Sequence, residues 1–270
     1  QSPAVAAEQG PAWELVSIRR SGDGRELPPT YRGRMAEDRL AVAIVGSRSC
    51  THYGRSQAGR LSLSLASMGL TVVSGLARGI DGEAHRSALK ARGRTLAVLG
   101  CGLAHVYPRE HAELAEEIAA QGALISELPM KTPVRAGNFE PRNRLISGLS
   151  LGTVVVEAET RSGTLITARW AGEQGRSVMA VPGPVNSSRS KGCHGLIRDG
   201  ATLVESARDV VEALGPLSAP LELDGAEAPA DRGQKLRAVS MNERERGLYE
   251  ELGQSPVHID SLVQKTGLPV

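Results

Sequence analysis

The residues best suited to bind a ligand are an isolated aromatic ring and the cations around it. Phe139 is the only phenylalanine in the chain. A ring can stack on a base while cations contact phosphates, so this pattern is typical of a surface that binds single-stranded nucleic acid. The alternative is a solvated loop that a buried phenylalanine anchors, but the single ring among so many cations favours the binding surface. One acid, Glu140, accompanies four nearby cations: Lys131, Arg135, Arg142 and Arg144.

A candidate phosphate-binding turn follows the first apolar run of the chain. Its residues are Gly46, Ser47 and Arg48, and ligands bind at the carboxyl ends of strands in open α/β sheets. Backbone N–H groups and the Arg48 guanidinium would contact a phosphate there, whereas the alternative is a tight turn with a surface arginine. The spacing differs from the GxGxxG dinucleotide motif, so no nicotinamide site is predicted.

Two more glycine-containing turns follow later apolar runs. In residues 74–81, SGLARGID, Asp81 is predicted to be the N-cap of the next helix, which leaves Arg78 to contact phosphate. Residues 100–103, GCGL, are interpreted as a simple glycine turn unless they line the same cleft.

A pair of acids in residues 157–164, EAETRSGT, offers a catalytic alternative. Glu157 and Glu159 beside a phosphate would suit a hydrolase; otherwise Ser-Gly-Thr caps the next helix and the acids orient neighbouring arginines. No metal site is predicted, because Cys193 and His194 are adjacent and no second Cys/His pair has zinc-finger spacing. No GxSxG nucleophile motif is present, and no cofactor is expected.

The composition places any nucleic-acid site in a local patch. The net charge is only +2, so no global positive field is expected. Apolar residues make up 40% and aromatics 3%, so the core must be aliphatic. The scattered Cys50, Cys101 and Cys193 favour reduced thiols. With no bilayer-spanning apolar run and no signal-peptide pattern, a cytoplasmic protein without membrane contact is expected.

Seven short apolar runs alternate with helical patterns and must position these turns. Continuous apolar runs are typical of strands buried on both faces, as in a parallel sheet covered by helices. The alternation therefore predicts a doubly wound α/β fold. The predicted strands are residues 40–45, 70–74, 95–99, 123–126, 153–156, 177–181 and 201–204.

Changes in composition and in residue pattern divide the chain into four parts. Residues 1–39 are polar and are predicted to be an N-terminal extension, and the α/β domain spans residues 40–214. Residues 215–237, rich in Pro, Ala, Gly and acids, are predicted to be a linker. Residues 238–270 hold two short helical patterns typical of the start of a helix-turn-helix, which predicts a small all-α module.

In order, the motifs along residues 40–214 resemble those of the DNA-processing protein A family, DprA or Smf, of bacteria. A long ordered series is far more specific than any single glycine loop. The motifs are VAIVGSR (42–48), SGLARGIDGEAH (74–85), TLAVLGCGLAHVYP (95–108), LISELP (124–129), FEPRNRLISGLS (139–150), VVVEAETRSGTLITA (154–168), AVPGPV (180–185) and GCHGLIRDGA (192–201).

The resemblance implies an extended Rossmann-like, mostly parallel sheet with a partial winged-helix C-terminal module. Members of this family are not known as enzymes. They bind and protect single-stranded DNA during natural transformation, help load the RecA recombinase and form homodimers. A homodimer that binds single-stranded DNA and RecA is therefore expected.

The resemblance also assigns residues to the DNA pocket, through the GSR turn and the FxxRNR motif. On this sequence they are Arg48, Lys131, Phe139, Arg142 and Asn143. Gly46, Ser47 and Arg78, taken from the glycine-containing turns, complete the predicted DNA-binding set. The sequence departs from the family where proline often follows the motif phenylalanine, because Glu140 places an acid at the pocket rim.

The rival interpretation is a nucleoside-monophosphate hydrolase of the lysine-decarboxylase-like family, which shares a related Rossmann core. That family places a PGGxGTxxE signature on the equivalent turn. Residues 157–168 read EAETRSGTLITA instead, without the paired glycines or the glutamate that follows Gly-Thr.

Overall fold

Three short strands and one long continuous segment make up the part of the chain that the computed structural model describes. The strands are β1 (Arg19–Arg20), β2 (Glu26–Leu27) and β3 (Thr30–Gly33), and the segment covers residues 40–215. The predicted partial winged-helix module, residues 238–270, lies outside the described residues, as does the predicted linker beyond Gly215.

All seven predicted strands are present and pair in parallel, which confirms the predicted fold class. The sheet order is β10-β9-β8-β4-β5-β6-β7-β3, with β3 antiparallel at one edge. Strands β4, β5, β6, β7 and β8 are buried along their whole length, because helices cover both faces of the sheet. The bounds are β4 (Ala41–Gly46), β5 (Thr71–Ser74), β6 (Thr95–Val98), β7 (Ala123–Ser126), β8 (Gly152–Val156), β9 (Ser177–Ala180) and β10 (Thr202–Leu203).

Seven helices supply the two covering layers. They are α1 (His52–Ser67), α2 (Ile80–Lys90), α3 (Ala112–Gln121), α4 (Phe139–Gly148), α5 (Thr164–Glu173), α6 (Lys191–Arg198) and α7 (Ala207–Leu214). Alternate residues of β4 show the division, because Ile44 packs with α1, α2 and α7 while Val45 packs with α4, α5 and α6. None of the helices in residues 40–215 is long and apolar enough to cross a membrane.

The N-terminal residues contain a structural element that the sequence analysis missed. Residues 1–39 were expected to be an extension, yet β3 pairs antiparallel with β7, with Tyr31 opposite Ile125 in the register. Arg32 also forms an ion pair with Glu116 of α3, at 2.6 Å between Nη2 and Oε2. The strand was missed because pairing at a sheet edge uses backbone groups and needs no apolar run.

A buried histidine crosslinks α2 to the sheet. His85 is fully buried, and its Nδ1 lies 2.7 Å from the Thr95 hydroxyl, which itself donates to the Val72 carbonyl. The hydroxyl is therefore the acceptor, so Nδ1 carries the proton. Nε2 has no hydrogen-bond partner. Burial, followed by repulsion from His111, Arg86 and Arg142, lowers the pKa of His85 to about 3.

This environment predicts an acid-dependent loss of stability. His85 has a folded-state pKa of about 3 against an ordinary 6.5, so below pH 6.5 the unfolded state binds more protons. The contribution of neutral His85 to the free energy of unfolding is complete above pH 6.5. It falls as the pH drops towards about 3, by about 1.4 kcal/mol per pH unit over most of this range. Urea unfolding of the wild type and of His85→Gln across this pH range measures the free energy of unfolding of each protein. The advantage of the wild type in this free energy should shrink as the pH falls. Parallel pH profiles would contradict this.

Candidate nucleic-acid interface

A cleft lies where the order of strands along the chain reverses, at the carboxyl ends of β4 and β8. From β4 the sheet continues through β5, β6 and β7 on one side and through β8, β9 and β10 on the other. Open α/β sheets bind ligands at such switch points. This switch-point cleft has a volume of ≈ 570 Å³. Six of the eight predicted DNA-binding residues line it: Gly46, Ser47, Arg48, Phe139, Arg142 and Asn143.

The turn after β4 is fixed tightly, so Arg48 is presented at the rim. A Cβ on Gly46 would lie 1.9 Å from the Val156 carbonyl oxygen, which only glycine avoids. The Ser47 hydroxyl accepts a hydrogen bond from the Ser49 amide at 3.2 Å, and the Ser47 carbonyl accepts one from the Ile80 amide. Arg48 itself is exposed. The backbone around it is therefore ordered before any ligand arrives.

Glu157 holds the other side of this turn. Its carboxylate accepts hydrogen bonds from the Thr51 amide, at 2.8 Å, and from the Thr51 hydroxyl. Thr51 in turn caps α1 by accepting from the Gly54 amide. Glu157 is 5% exposed and has a φ of 54°, a conformation that non-glycine residues rarely adopt. Its role is therefore structural, and it orients Thr51 rather than an arginine.

The hydrolase interpretation needs two available carboxylates, and this arrangement leaves only one of them available. Glu159 is exposed and lines the cleft, whereas Glu157 is buried and committed to Thr51. Glu157 and Glu159 are thus not assembled as a pair for proton transfer. Within residues 40–215, no cluster of three or more His, Cys, Asp or Glu side chains is placed to hold a metal ion either.

Arg142 lies beneath the cleft and acts as an internal crosslink. It is 4% exposed, and Nη1 donates to the carbonyls of Gly75, at 2.9 Å, and of Val98. Burial lowers the pKa of Arg142 to about 10, while the negative charge of Asp81 opposes this change. Arg142 was predicted to contact DNA; in the structure it lines the cleft, and its guanidinium bonds to carbonyls at the carboxyl ends of β5 and β6.

The prediction that Asp81 is the N-cap of α2 is wrong. The N-cap of α2 is Gly79, and Asp81 lies in the first turn of that helix. Its carboxylate accepts from the amides of Gly75 and Ala77 at 3.2 and 3.4 Å. Burial raises its pKa, and the positive charge of Arg142 opposes the rise. Asp81 and Arg142 thus form a buried charge pair around Gly75, where an added Cβ would meet both side chains.

Phe139 begins α4 and connects the buried charges to the rim. Its ring centroid lies 5.4 Å from Arg48 Cζ and 5.8 Å from Arg142 Cζ. A Cβ on Gly100 would meet the ring at 2.8 Å, so the glycine turn after β6 supports Phe139 rather than standing apart from the cleft. Guanidinium groups over a ring face attract it through its quadrupole. The ring and the Arg48 guanidinium therefore form one unit.

The N-terminus of α5 closes the opposite wall. The Thr164 hydroxyl donates to the Gly46 carbonyl at 3.0 Å, and the Thr164 amide donates to the Ser162 hydroxyl at 3.2 Å. Gly163 is the N-cap and adds no side-chain hydrogen bond. Arg189, which precedes α6, also lines the cleft. Arg189 was not predicted to lie here, because a single arginine in a polar loop does not form a sequence motif.

Two predicted residues are not in the cleft. Arg78 pairs with Glu110, and both side chains are more than half exposed. Lys131 is exposed on the turn after β7, where its carbonyl lies 3.3 Å from His105 Nε2. Arg144, one of the cations near Phe139, forms an ion pair with Glu127. The local charge is therefore less concentrated than the sequence suggested.

Comparison with known proteins identifies the family. Residues 28–215 match the family model described as DNA recombination-mediator protein A. The chain belongs to this family. It is 51% identical over 174 residues to protein Smf of Escherichia coli K12, which covers 64% of this chain and 46% of that protein. The DNA recombination-mediator A family thus accounts for the whole described α/β domain.

Solved structures of the same family share the fold. DNA processing protein A from Streptococcus pneumoniae superposes with a TM-score of 0.65 at 41% identity, covering 68% of this chain and 65% of that one. The protein from Helicobacter pylori, described for its unique single-stranded DNA binding mode, has a TM-score of 0.67 at 26% identity, covering 80% and 95%. The chain spans only about half the length of the curated relatives it matches.

The position of Arg142 predicts that this family motif arginine stabilises the fold. Arg142→Met leaves Asp81 buried without its opposite charge and removes two carbonyl contacts. We expect a loss of about 3 kcal/mol in the free energy of unfolding, measured by urea denaturation. Arg169→Met is the control, because Arg169 is exposed and pairs only with Glu173, so its effect should stay within about 0.5 kcal/mol. Equal free energies of unfolding for the wild type and Arg142→Met would mean that Arg142 is free to bind a ligand.

Proposed function

We propose that the switch-point cleft binds single-stranded DNA without sequence preference. The observation that carries the proposal is the Arg48 guanidinium held over the Phe139 ring at the rim of the cleft. A cation that contacts phosphates beside a ring that stacks on a base is the usual combination for this ligand. The H. pylori relative that shares the fold is described as binding single-stranded DNA, which supports extending that ligand to this chain.

Each wall of the cleft has a separate part in the proposed complex. The exposed Arg48 and the backbone amides of its turn contact phosphate oxygens. The start of α5 adds the positive end of its helix dipole, which favours an anion. Phe139 stacks on a base, and Asn143 has an amide that either donates or accepts. Arg142 supports Phe139 from beneath, so its contribution to binding is indirect.

Acids limit the strength of this site. Glu140 and Glu159 are exposed and line the cleft, and they face the same solvent as Arg48. We therefore expect binding to depend on a few well-placed contacts rather than on a broad positive field. Affinity should fall with salt, with a slope of log affinity against log salt of about 0.7 for each phosphate contact, because each contact releases counterions.

The wider role that we propose is that of a recombination mediator. In this proposal the protein protects incoming single strands during natural transformation, helps to load RecA onto them and forms a homodimer. Membership of the family supports this role. The deciding measurement is RecA-dependent pairing on strands coated with a single-strand-binding protein, with and without the protein.

Removal of the Arg48 charge tests the phosphate contact. Arg48→Ala should weaken binding of labelled oligo-dT and of mixed-sequence oligonucleotides by the same factor. The slope of log affinity against log salt should fall by about 0.7, the value for one phosphate contact on a single strand. Fluorescence anisotropy across salt concentrations measures both. Arg208→Ala, which removes an exposed arginine paired with Glu212 on α7, is the control. A loss confined to certain sequences would contradict a phosphate contact.

Truncation of the Phe139 ring tests the stacking contact. Phe139→Leu keeps an apolar side chain but removes the aromatic face, so affinity for oligo-dT should fall by about 1–3 kcal/mol. Because Arg48 lies over the ring, the double variant should lose less than the sum of the single losses. The same anisotropy titration measures all three proteins. Additive losses would show that the ring and Arg48 act separately.

A further inference from the structure

A second aromatic ring stands next to Phe139 and has no part in the site as described so far. The ring centroid of Tyr107 lies 5.6 Å from that of Phe139, with the planes inclined at 48°. Tyr107 is 37% exposed, which is high for a large ring that touches another ring. A tilted neighbour leaves ring surface open to solvent.

The chain is anchored on both sides of Tyr107. On one side, the Ala104 amide donates to the Met130 carbonyl at 2.9 Å, and the Cys101 thiol donates to the His105 carbonyl. On the other side, the buried His111 lies with Nδ1 3.0 Å from the Leu76 carbonyl oxygen. Two regions of the fold therefore hold the chain on either side of this exposed ring.

Tyr107 also interacts with Arg78, a cation that does not line the cleft. Arg78 interacts most strongly with Glu110, by hydrogen bond and charge, and also with Tyr107; together these interactions raise the pKa of Arg78. Two rings thus lie between two cations, in the order Arg48, Phe139, Tyr107 and Arg78. Alternating rings and cations suit a single strand that continues out of the cleft.

We propose that Tyr107 forms a second nucleobase subsite, which binds the base next to the one on Phe139 and directs the strand towards Arg78. This inference rests on the proposed function, since it needs DNA in the cleft. It gives Arg78 a role at the exit of the strand, although that residue lies outside the cleft.

The spacing of the two rings restricts which strands fit. Stacked bases in DNA are 3.4 Å apart along each strand, whereas the two ring centroids are 5.6 Å apart and inclined. Two successive bases must therefore separate from each other before each can stack on its own ring. The subsite contacts the face of a base and not its edge, so it requires no particular sequence. The weak stacking of thymines on one another should give oligo-dT only a modest advantage over oligo-dA.

The experiment compares Tyr107→Leu with Tyr107→Phe by anisotropy, using oligo-dT and an abasic deoxyribose-phosphate chain of the same length. Tyr107→Leu should bind oligo-dT about five-fold to about a hundred-fold more weakly, the range for one lost base stack, and should bind the abasic chain as the wild type does. Tyr107→Phe keeps the ring and should restore oligo-dT binding. Tyr53→Leu is the matched control, because Tyr53 is equally exposed at 37% but bonds to the Pro182 carbonyl, outside the cleft.

Each remaining outcome separates this inference from the proposed function. If the wild type binds no oligo-dT at low salt, the proposed function fails and the subsite fails with it. If the wild type binds but Tyr107→Leu binds equally well, only the subsite is wrong. An equal loss for oligo-dT and the abasic chain would show that Tyr107 merely positions Phe139, which also overturns the subsite.

Discussion

The site depends on one buried charge, the guanidinium of Arg142. It bonds to the carbonyls at the ends of β5 and β6, faces Asp81 and lies under the ring of Phe139. A charge is tolerated at this depth only when paired and hydrogen-bonded, so each of these neighbours is constrained in turn. The rim, where Arg48 lies near the same ring, is therefore built on a rigid base.

Several charged residues that look functional serve the architecture instead. Glu157 holds Thr51 and so fixes the start of α1, and Asp81 accepts from the amides of its own turn. From the sequence alone, Glu157 counts as a catalytic candidate and Asp81 as a helix cap. Their burial shows that the loops at this end of the sheet are kept in place by carboxylates, which leaves the exposed arginines and aromatic rings for ligands.

The sequence predicted the sheet well because parallel strands buried on both faces leave a direct signal, the continuous apolar run. The family resemblance also brought Arg48, Phe139 and Asn143 to one place, and the structure has all three in the lining of the switch-point cleft. Burial was not predictable: Arg142 and Arg144 look alike in FEPRNR, yet one lies under the cleft and the other pairs with Glu127. Tyr107 and Arg189 were missed because they join the site only through tertiary folding.

The polar strand β3 has a consequence for how the molecule behaves in concentrated solution. By pairing with β7, it occupies a row of backbone N–H and C=O groups on a strand whose own side chains are buried. An open strand of this kind is a template for intermolecular pairing and aggregation. The new outer edge carries Arg32, a charge of the sort that discourages such growth. The N-terminal residues thus protect colloidal stability, and a fragment that begins after Gly33 would lose that protection.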